Sequence, residues 1–427
     1  MLQLDITGTL GKVITPSLGI PEQEFSLMRQ TMKHHMEDFL RERAEGRHTW
    51  TQAPYDKEVL MQTQELARKF RKENIETVLW VGIGGSSLGP RVIKEVFESV
   101  ETPELVVLDT IDPAILLEEL KIIRWEHTLL VIASKSGGTL EPMSLFFLLL
   151  DRLREALPEH AAEHVVIITD PQEGLLREIA VREGYATLPI APDIGGRYSI
   201  FTPIGLFPLA LLGADTTAFI RGAKEMDTVC QSNDLDANPA ALLASVQFLL
   251  DVRRNYPIRV IMPYATRLQS FGRWAQQLIA ESLGKSEACG PVALSSIGTQ
   301  DQHSMLQQWM QGRRLHFHLF IREGEKPRLS LPEVAEPSLS YLSGKAMSQL
   351  LDAAAEGTAQ ALTSAKRPHA TITLPRLDAY HLGQLFFLCM VEVVLLGKLY
   401  RIDPYGQPGV EIGKKIAKDI LSRGSVV

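Results

Sequence analysis

From residue 77 onward the chain alternates short apolar runs with amphipathic stretches. TVLWVGI, ELVVLD, TLLVIAS and HVVIITD are apolar and β-branched, and each is followed by a stretch with helical spacing, at 87–99, 112–124, 139–156 and 171–184. That alternation predicts a parallel sheet covered by helices on both faces, because strands buried on both sides lose the polar alternation of a half-exposed sheet. Ahead of it, 22–45 and 56–74 read as helices, and behind it 200–255 is mostly helical. A second unit begins near Ile258, with strands IRVIMPY, LHFHLFI (315–321) and ATITL (370–374), a helix at 265–283, and a long helix at 378–400 with an almost wholly apolar middle. The expected fold class is α/β, with two doubly wound parallel-sheet subdomains and flanking helices. The expected division is an N-terminal helical segment (1–76), a first subdomain (77–200), a helical connector (201–255), a second subdomain (256–400) and a C-terminal segment with a helix (401–427).

Two strand-to-helix junctions carry glycines and small hydroxyl residues, 77–90 (TVLWVGIGGSSLGP) and 128–142 (TLLVIASKSGGTLEP). A parallel strand ending in such a loop delivers backbone N–H groups and a helix N-terminus to an anion at its C-terminal edge. Ser86, Ser87, Ser134, Ser136 and Thr139 add hydroxyls at that edge, so the loops read as a phosphate cradle. Sharper phosphate signatures do not fit. Gly284-Lys285-Ser286 lacks the glycine five positions earlier that a nucleotide-binding loop requires. Gly82, Gly84 and Asp109 approach the dinucleotide fingerprint, but Ser87 stands in the third glycine position, and the second hydroxyl loop has no part in holding a dinucleotide.

Length and composition support a folded protein of two or three domains, with 427 residues and 45% hydrophobic side chains. A net charge of -7 argues against a nucleic-acid partner, since backbone binding needs clustered excess Lys and Arg. Cys230, Cys289 and Cys389 are too few and too scattered for a zinc site or a disulfide framework. With no signal-like N-terminus and no 18-residue uncharged run, the expectation is a cytoplasmic protein without membrane contact.

Several polar residues stand at spacings a core would not require. Gln277 and Glu281 lie four apart on one face of the expected 265–283 helix, and Gly284 stands where that helix would end. A solvated surface glutamate is the ordinary reading of that pattern. Arg197 follows two glycines in DIGGRYS, where it would either brace a turn or set a fixed positive charge against an anion. His303 lies in the polar segment SSIGTQDQHS, and Lys414 and Lys415 close DPYGQPGVEIGKK. Taken singly, each has an ordinary structural reading.

Read in order, VGIGGSSLGP, SKSGGTLE, GGRYS, QQLIAESLGK, GTQDQHS and YGQPGVEIGKK resemble the motifs of the phosphoglucose (glucose-6-phosphate) isomerase family in its short bacterial type, over 77–415. The resemblance implies two sugar-isomerase (SIS) subdomains and reversible interconversion of glucose 6-phosphate and fructose 6-phosphate, in glycolysis and gluconeogenesis. It implies no metal and no other cofactor. Gly84, Gly85, Ser86, Ser134, Ser136 and Thr139 would bind the substrate's phosphate, helped by backbone N–H groups from Lys135 to Gly138. Glu281 would move the proton between C1 and C2 through a cis-enediolate. Arg197 would hold charge against the enediolate oxygens. His303 and Lys414 would open the sugar ring, with Gln277 and Gln407 as orienting ligands. In the family the histidine comes from the neighbouring subunit, which implies a homodimer. The chain departs from the pattern at Gly138, where many bacterial members have threonine, at Leu283 in place of asparagine, and at 404–406 in place of aromatic-Asp or aromatic-Asn. Two other functions remain open: a sugar-phosphate sensor on the same fold, and a nicotinamide-dependent dehydrogenase.

Overall fold

The structure, a computed structural model, describes residues 1–423, so the last four residues of the expected 401–427 segment lie outside the described residues. Among the described residues ten strands form two five-stranded sheets. They are β1 (Gln3–Asp5), β2 (Thr77–Val81), β3 (Glu104–Leu108), β4 (Thr128–Ala133), β5 (Val165–Thr169), β6 (Ala186–Pro189), β7 (Ile258–Pro263), β8 (Val292–Ser295), β9 (His316–Glu325) and β10 (His369–Arg376). The chain divides into two units, one built from Met1–Glu45 and Arg221–Ile402, the other from Gly46–Ile220 and the residues from Asp403 on.

In the second of these units the sheet order is β3-β2-β4-β5-β6, parallel throughout. Every residue of β2, β4 and β5 is buried, as strands covered on both faces require. Leu79, Val81, Ile132 and Ile167 pack with Phe146 and Leu149 of the helix Leu140–Ala156. Val81 pairs in register with Leu108 on one side and Ile132 on the other. The chain therefore leaves β2 to one side for β3 and returns on the other side as β4. That reversal opens a crevice at the C-terminal ends of β2 and β4, the place where doubly wound sheets bind ligands.

In the other unit the order is β1-β10-β9-β7-β8, parallel except for β1 against β10. Its centre is the helix Ala379–Tyr400, with all but two of its residues buried. That helix is long and apolar enough to cross a membrane, but 94% of its apolar window is buried inside the protein. Arg259 of β7 and Glu392 of this helix form an ion pair at 2.6 Å, each side chain 1% exposed. The strands β1, β6 and β8 and the helix Met347–Ser364 were not among the elements expected from the sequence.

Candidate active site

The two hydroxyl loops leave neighbouring strands at the same level, because β2 and β4 pair in register from Thr77–Thr128 to Val81–Ile132. In the first loop Gly84 has φ +58, a conformation that favours glycine, and it opens the helix Gly85–Phe97. Gly85 is required by close approach: a Cβ there would lie 2.2 Å from the carbonyl carbon and oxygen of Gly196. The first loop and the arginine turn thus meet backbone to backbone. Ser86 is half-buried. Ser87 is 1% exposed and its hydroxyl donates to the Gly84 carbonyl at 3.1 Å, so it braces the loop instead of facing a ligand.

The second loop curls at Gly137, φ +61, whose N–H donates to Ser134 Oγ at 3.2 Å. Gly138 N–H donates to Ser136 Oγ at 3.4 Å, and the Ser136 and Thr139 hydroxyls lie 3.5 Å apart. Thr139 is the N-cap of the helix Leu140–Ala156, yet its hydroxyl makes no capping hydrogen bond. The first N–H groups of a seventeen-residue helix therefore stand beside a pair of hydroxyls without a side-chain cap, an arrangement suited to an anion. Lys135 reaches sideways to donate to the Ile194 carbonyl at 3.2 Å, which ties this loop to the arginine turn. Burial lowers its pKa, against the pull of Asp193 and Asp170.

Arg197 lies in a short helical turn, Gly196–Tyr198, and is 3% exposed. Its guanidinium donates to the Pro404 carbonyl at 2.6 Å, the Gly406 carbonyl at 3.1 Å and Gln407 Oε1 at 3.0 Å. One buried cation thereby collects the segment 404–407 and brings Gln407 to the arginine turn. Lys414 lies on the helix Glu411–Ser422, which has no buried residue, and pairs with Glu411 at 2.8 Å.

Gln277, Glu281 and His303 belong to the other unit. The helix Gln269–Leu283 forms as expected, and Gln277 Nε2 donates to Glu281 Oε1 at 2.8 Å, the contact that four-residue spacing predicts. Gly284 ends the helix without entering the left-handed region, at φ -77. Glu281 is half-buried, while Gln277 Oε1 is buried with no hydrogen-bond partner. His303 is exposed, in the loop after β8. That loop is organised by Asp301, which accepts from Ser296 Oγ at 2.7 Å, Ile297 N–H at 2.8 Å and Ser304 Oγ at 2.7 Å. Burial works against the Asp301 charge, but those hydrogen bonds outweigh it and hold the carboxyl below its usual range.

Sequence reading missed Tyr405, Trp50 and His48. The Tyr405 hydroxyl lies 2.9 Å from Trp50 Nε1 and 2.6 Å from His48 Nδ1, and local pattern carries no signal for a contact across 355 residues. Among the described residues no group of three or more His, Cys, Asp or Glu side chains is placed to hold a metal ion.

The chain is similar to known proteins over most of its length. A family profile described as phosphoglucose isomerase matches residues 57–425. A glucose-6-phosphate isomerase of Rubrobacter xylanophilus is 37% identical over 87% of this chain and 88% of its own. Among solved structures, a hypothetical protein from Thermus thermophilus superposes with a TM-score of 0.90 at 31% identity, covering 99% of this chain and 100% of that one. A glucose-6-phosphate isomerase from Chlamydia trachomatis gives a TM-score of 0.75 at 25% identity, covering 87% of this chain and 74% of that one.

Proposed function

The chain belongs to the phosphoglucose isomerase family, and from that premise we propose how its own residues interconvert glucose 6-phosphate and fructose 6-phosphate. Its two sheets with flanking helices are SIS-type subdomains. The observation that carries the assignment of residues is the pair of hydroxyl loops at the β2/β4 crevice, beside a helix N-terminus and in the same unit as Arg197 and Gln407.

The phosphate does not change charge during isomerisation, so Gly84, Gly85, Ser86, Ser134, Lys135, Ser136 and Thr139 act as an anchor. Binding energy spent there positions C1 and C2 for reaction. His303 and Lys414 move a proton between the ring oxygen and the C1 hydroxyl, which opens the ring. Glu281 then takes the proton from C2. The C–H electron pair forms the C1–C2 double bond, and the C1 carbonyl oxygen takes the charge. Arg197, which stays charged, faces that charge, with Gln277 and Gln407 orienting the hydroxyls. The same carboxyl returns the proton to C1 as the C2 oxygen becomes the carbonyl and its proton passes to O1. A substrate with a fixed phosphate charge does not cross membranes unaided, which suits a cytoplasmic location.

We assign His303 to the site of a second copy. A Cβ on Gly272 would meet Ser295 Oγ at 2.5 Å, so Ser295 stands level with Gly272. Glu281 lies nine residues further along that helix, about 13 Å at the usual rise. Beyond Ser295 the chain runs on past Pro263, where Gly298 N–H bonds the Pro263 carbonyl, before it reaches His303. That separation supports a homodimer in which each histidine serves its neighbour's glutamate.

The test is a coupled assay from fructose 6-phosphate to glucose 6-phosphate. Glu281→Gln is expected to lower turnover about 10² to 10⁴-fold, and full activity in that variant would refute the assigned base. Co-expressing Glu281→Gln with His303→Ala should recover about a quarter of parental activity, because half the dimers are hybrid and each holds one intact site. No recovery would place both groups in one subunit's site.

A further inference from the structure

The reaction scheme leaves Tyr405 without a part, although this half-buried side chain sets its hydroxyl against two buried groups beside the segment that carries Gln407. Trp50 and His48 are each 2% exposed. An indole N–H can only donate, so Trp50 Nε1 gives its hydrogen to the phenol oxygen at 2.9 Å, and His48 Nδ1 shares a second hydrogen bond with that oxygen at 2.6 Å. The Tyr405 ring packs 5.5 Å from Tyr198, and Tyr198 stacks on Trp50 at 5.5 Å. Burial raises the pKa of the phenol, which keeps its proton in this chain of hydrogen bonds. Arg197 grips the residues on either side through the Pro404 and Gly406 carbonyls.

Beyond that anchor the chain is held by little else. The helix Glu411–Ser422 has no buried residue, and Lys414 pairs with Glu411 of its own first turn. A helix with so few tertiary contacts takes its position from the loop that leads into it. We propose that Tyr405 is a positioning residue for the isomerisation: its hydroxyl, held between Trp50 and His48, sets where Gln407 and Lys414 stand. The proposal rests on the assignment of Gln407 and Lys414 to the reacting end of the sugar.

Tyr405→Phe removes one oxygen, and with it the contacts to Trp50 Nε1 and His48 Nδ1. Turnover of fructose 6-phosphate is expected to fall about tenfold, the worth of one hydrogen bond that places reacting groups, with inhibition by inorganic phosphate unchanged. Backbone amides from 406 to 414 should exchange faster with deuterium. His48→Asn keeps a group that can accept or donate where Nδ1 stands and should retain most turnover, whereas His48→Leu should match Tyr405→Phe. Parental turnover in Tyr405→Phe would overturn the proposal, as would an equal loss of turnover and phosphate inhibition, which marks general loosening. Lys414→Met, assayed in parallel, separates the two ideas. If it is slow while Tyr405→Phe is not, only the positioning role fails; if it keeps parental turnover, the assignment of Lys414 falls and the proposal with it.

Discussion

His318 is an imidazole kept neutral inside the protein, and this makes the fold sensitive to acid. It lies on β9 with both ring nitrogens buried and without hydrogen-bond partners, beside the Trp309 ring at 4.9 Å. Burial, followed by the neighbouring His316 and His369, lowers its pKa from 6.5 to about 3, with the Pro368 carbonyl offsetting a little. A base held neutral in the fold contributes its full stability above the unfolded value of 6.5. The contribution is lost as pH falls, until the folded protein can also take the proton near pH 3. At about pH 5 the unfolded chain is favoured roughly thirtyfold by protonation of this one group, a loss of about 2 kcal/mol relative to pH 7.5. His318→Phe removes the titration and two orphaned polar atoms, so it should cost little near pH 7.5 and should flatten the pH dependence. His316 and His369 are also lowered by burial, so some slope will remain. The assay is urea denaturation at both pH values, followed by circular dichroism and tryptophan fluorescence. If the stability difference between variant and parent is the same at both, His318 is not the acid-sensitive group.

Three further outcomes are expected. Gly85→Ala should weaken phosphate inhibition at least tenfold, because its Cβ would fall 2.2 Å from Gly196 backbone atoms, whereas Gly138→Ala, with nothing nearer than 3.9 Å, should change it less than about threefold. Glu392→Gln leaves the Arg259 charge buried without its counter-ion and should cost about 3–5 kcal/mol in urea denaturation, while the pair Arg259→Met and Glu392→Leu together should cost less. A thiol reagent should modify Cys289 alone in the native protein and all three cysteines in denaturant, because Cys230 and Cys389 are buried and burial raises both thiols.

How much of this could be read from the sequence depends on where the information lies along the chain. β2, β4 and β5 announce themselves because burial on both faces makes every position apolar. The strands that went unread, β1, β6 and β8, sit at sheet edges, where one neighbour and three or four residues leave no periodicity to detect. The helix Met347–Ser364 buries only Ala355, Thr358 and Leu362, a stripe too thin to stand out in an alanine-rich stretch. The same division runs through the site. Ser134, Ser136 and Thr139 share one loop, and Gln277 and Glu281 share one helix face, so spacing brings each set together. Ser87 looked equivalent to Ser86, and only the hydrogen bond to Gly84 separates their roles. The partners of Arg197 and Tyr405 are set by tertiary folding and leave no local trace.

The order of synthesis gives Arg197 a particular history. It is made 207 residues before Pro404, whose carbonyl it binds, so a nascent chain can assemble β2 to β6 while this guanidinium still waits for its acceptors at 404–407. The contacts between the arginine turn and 404–407 are thus among the last in their unit that can form. Ribosome-stalled chains ending before Asp403 should contain the sheet but should bind an enediolate mimic far more weakly than the finished protein does.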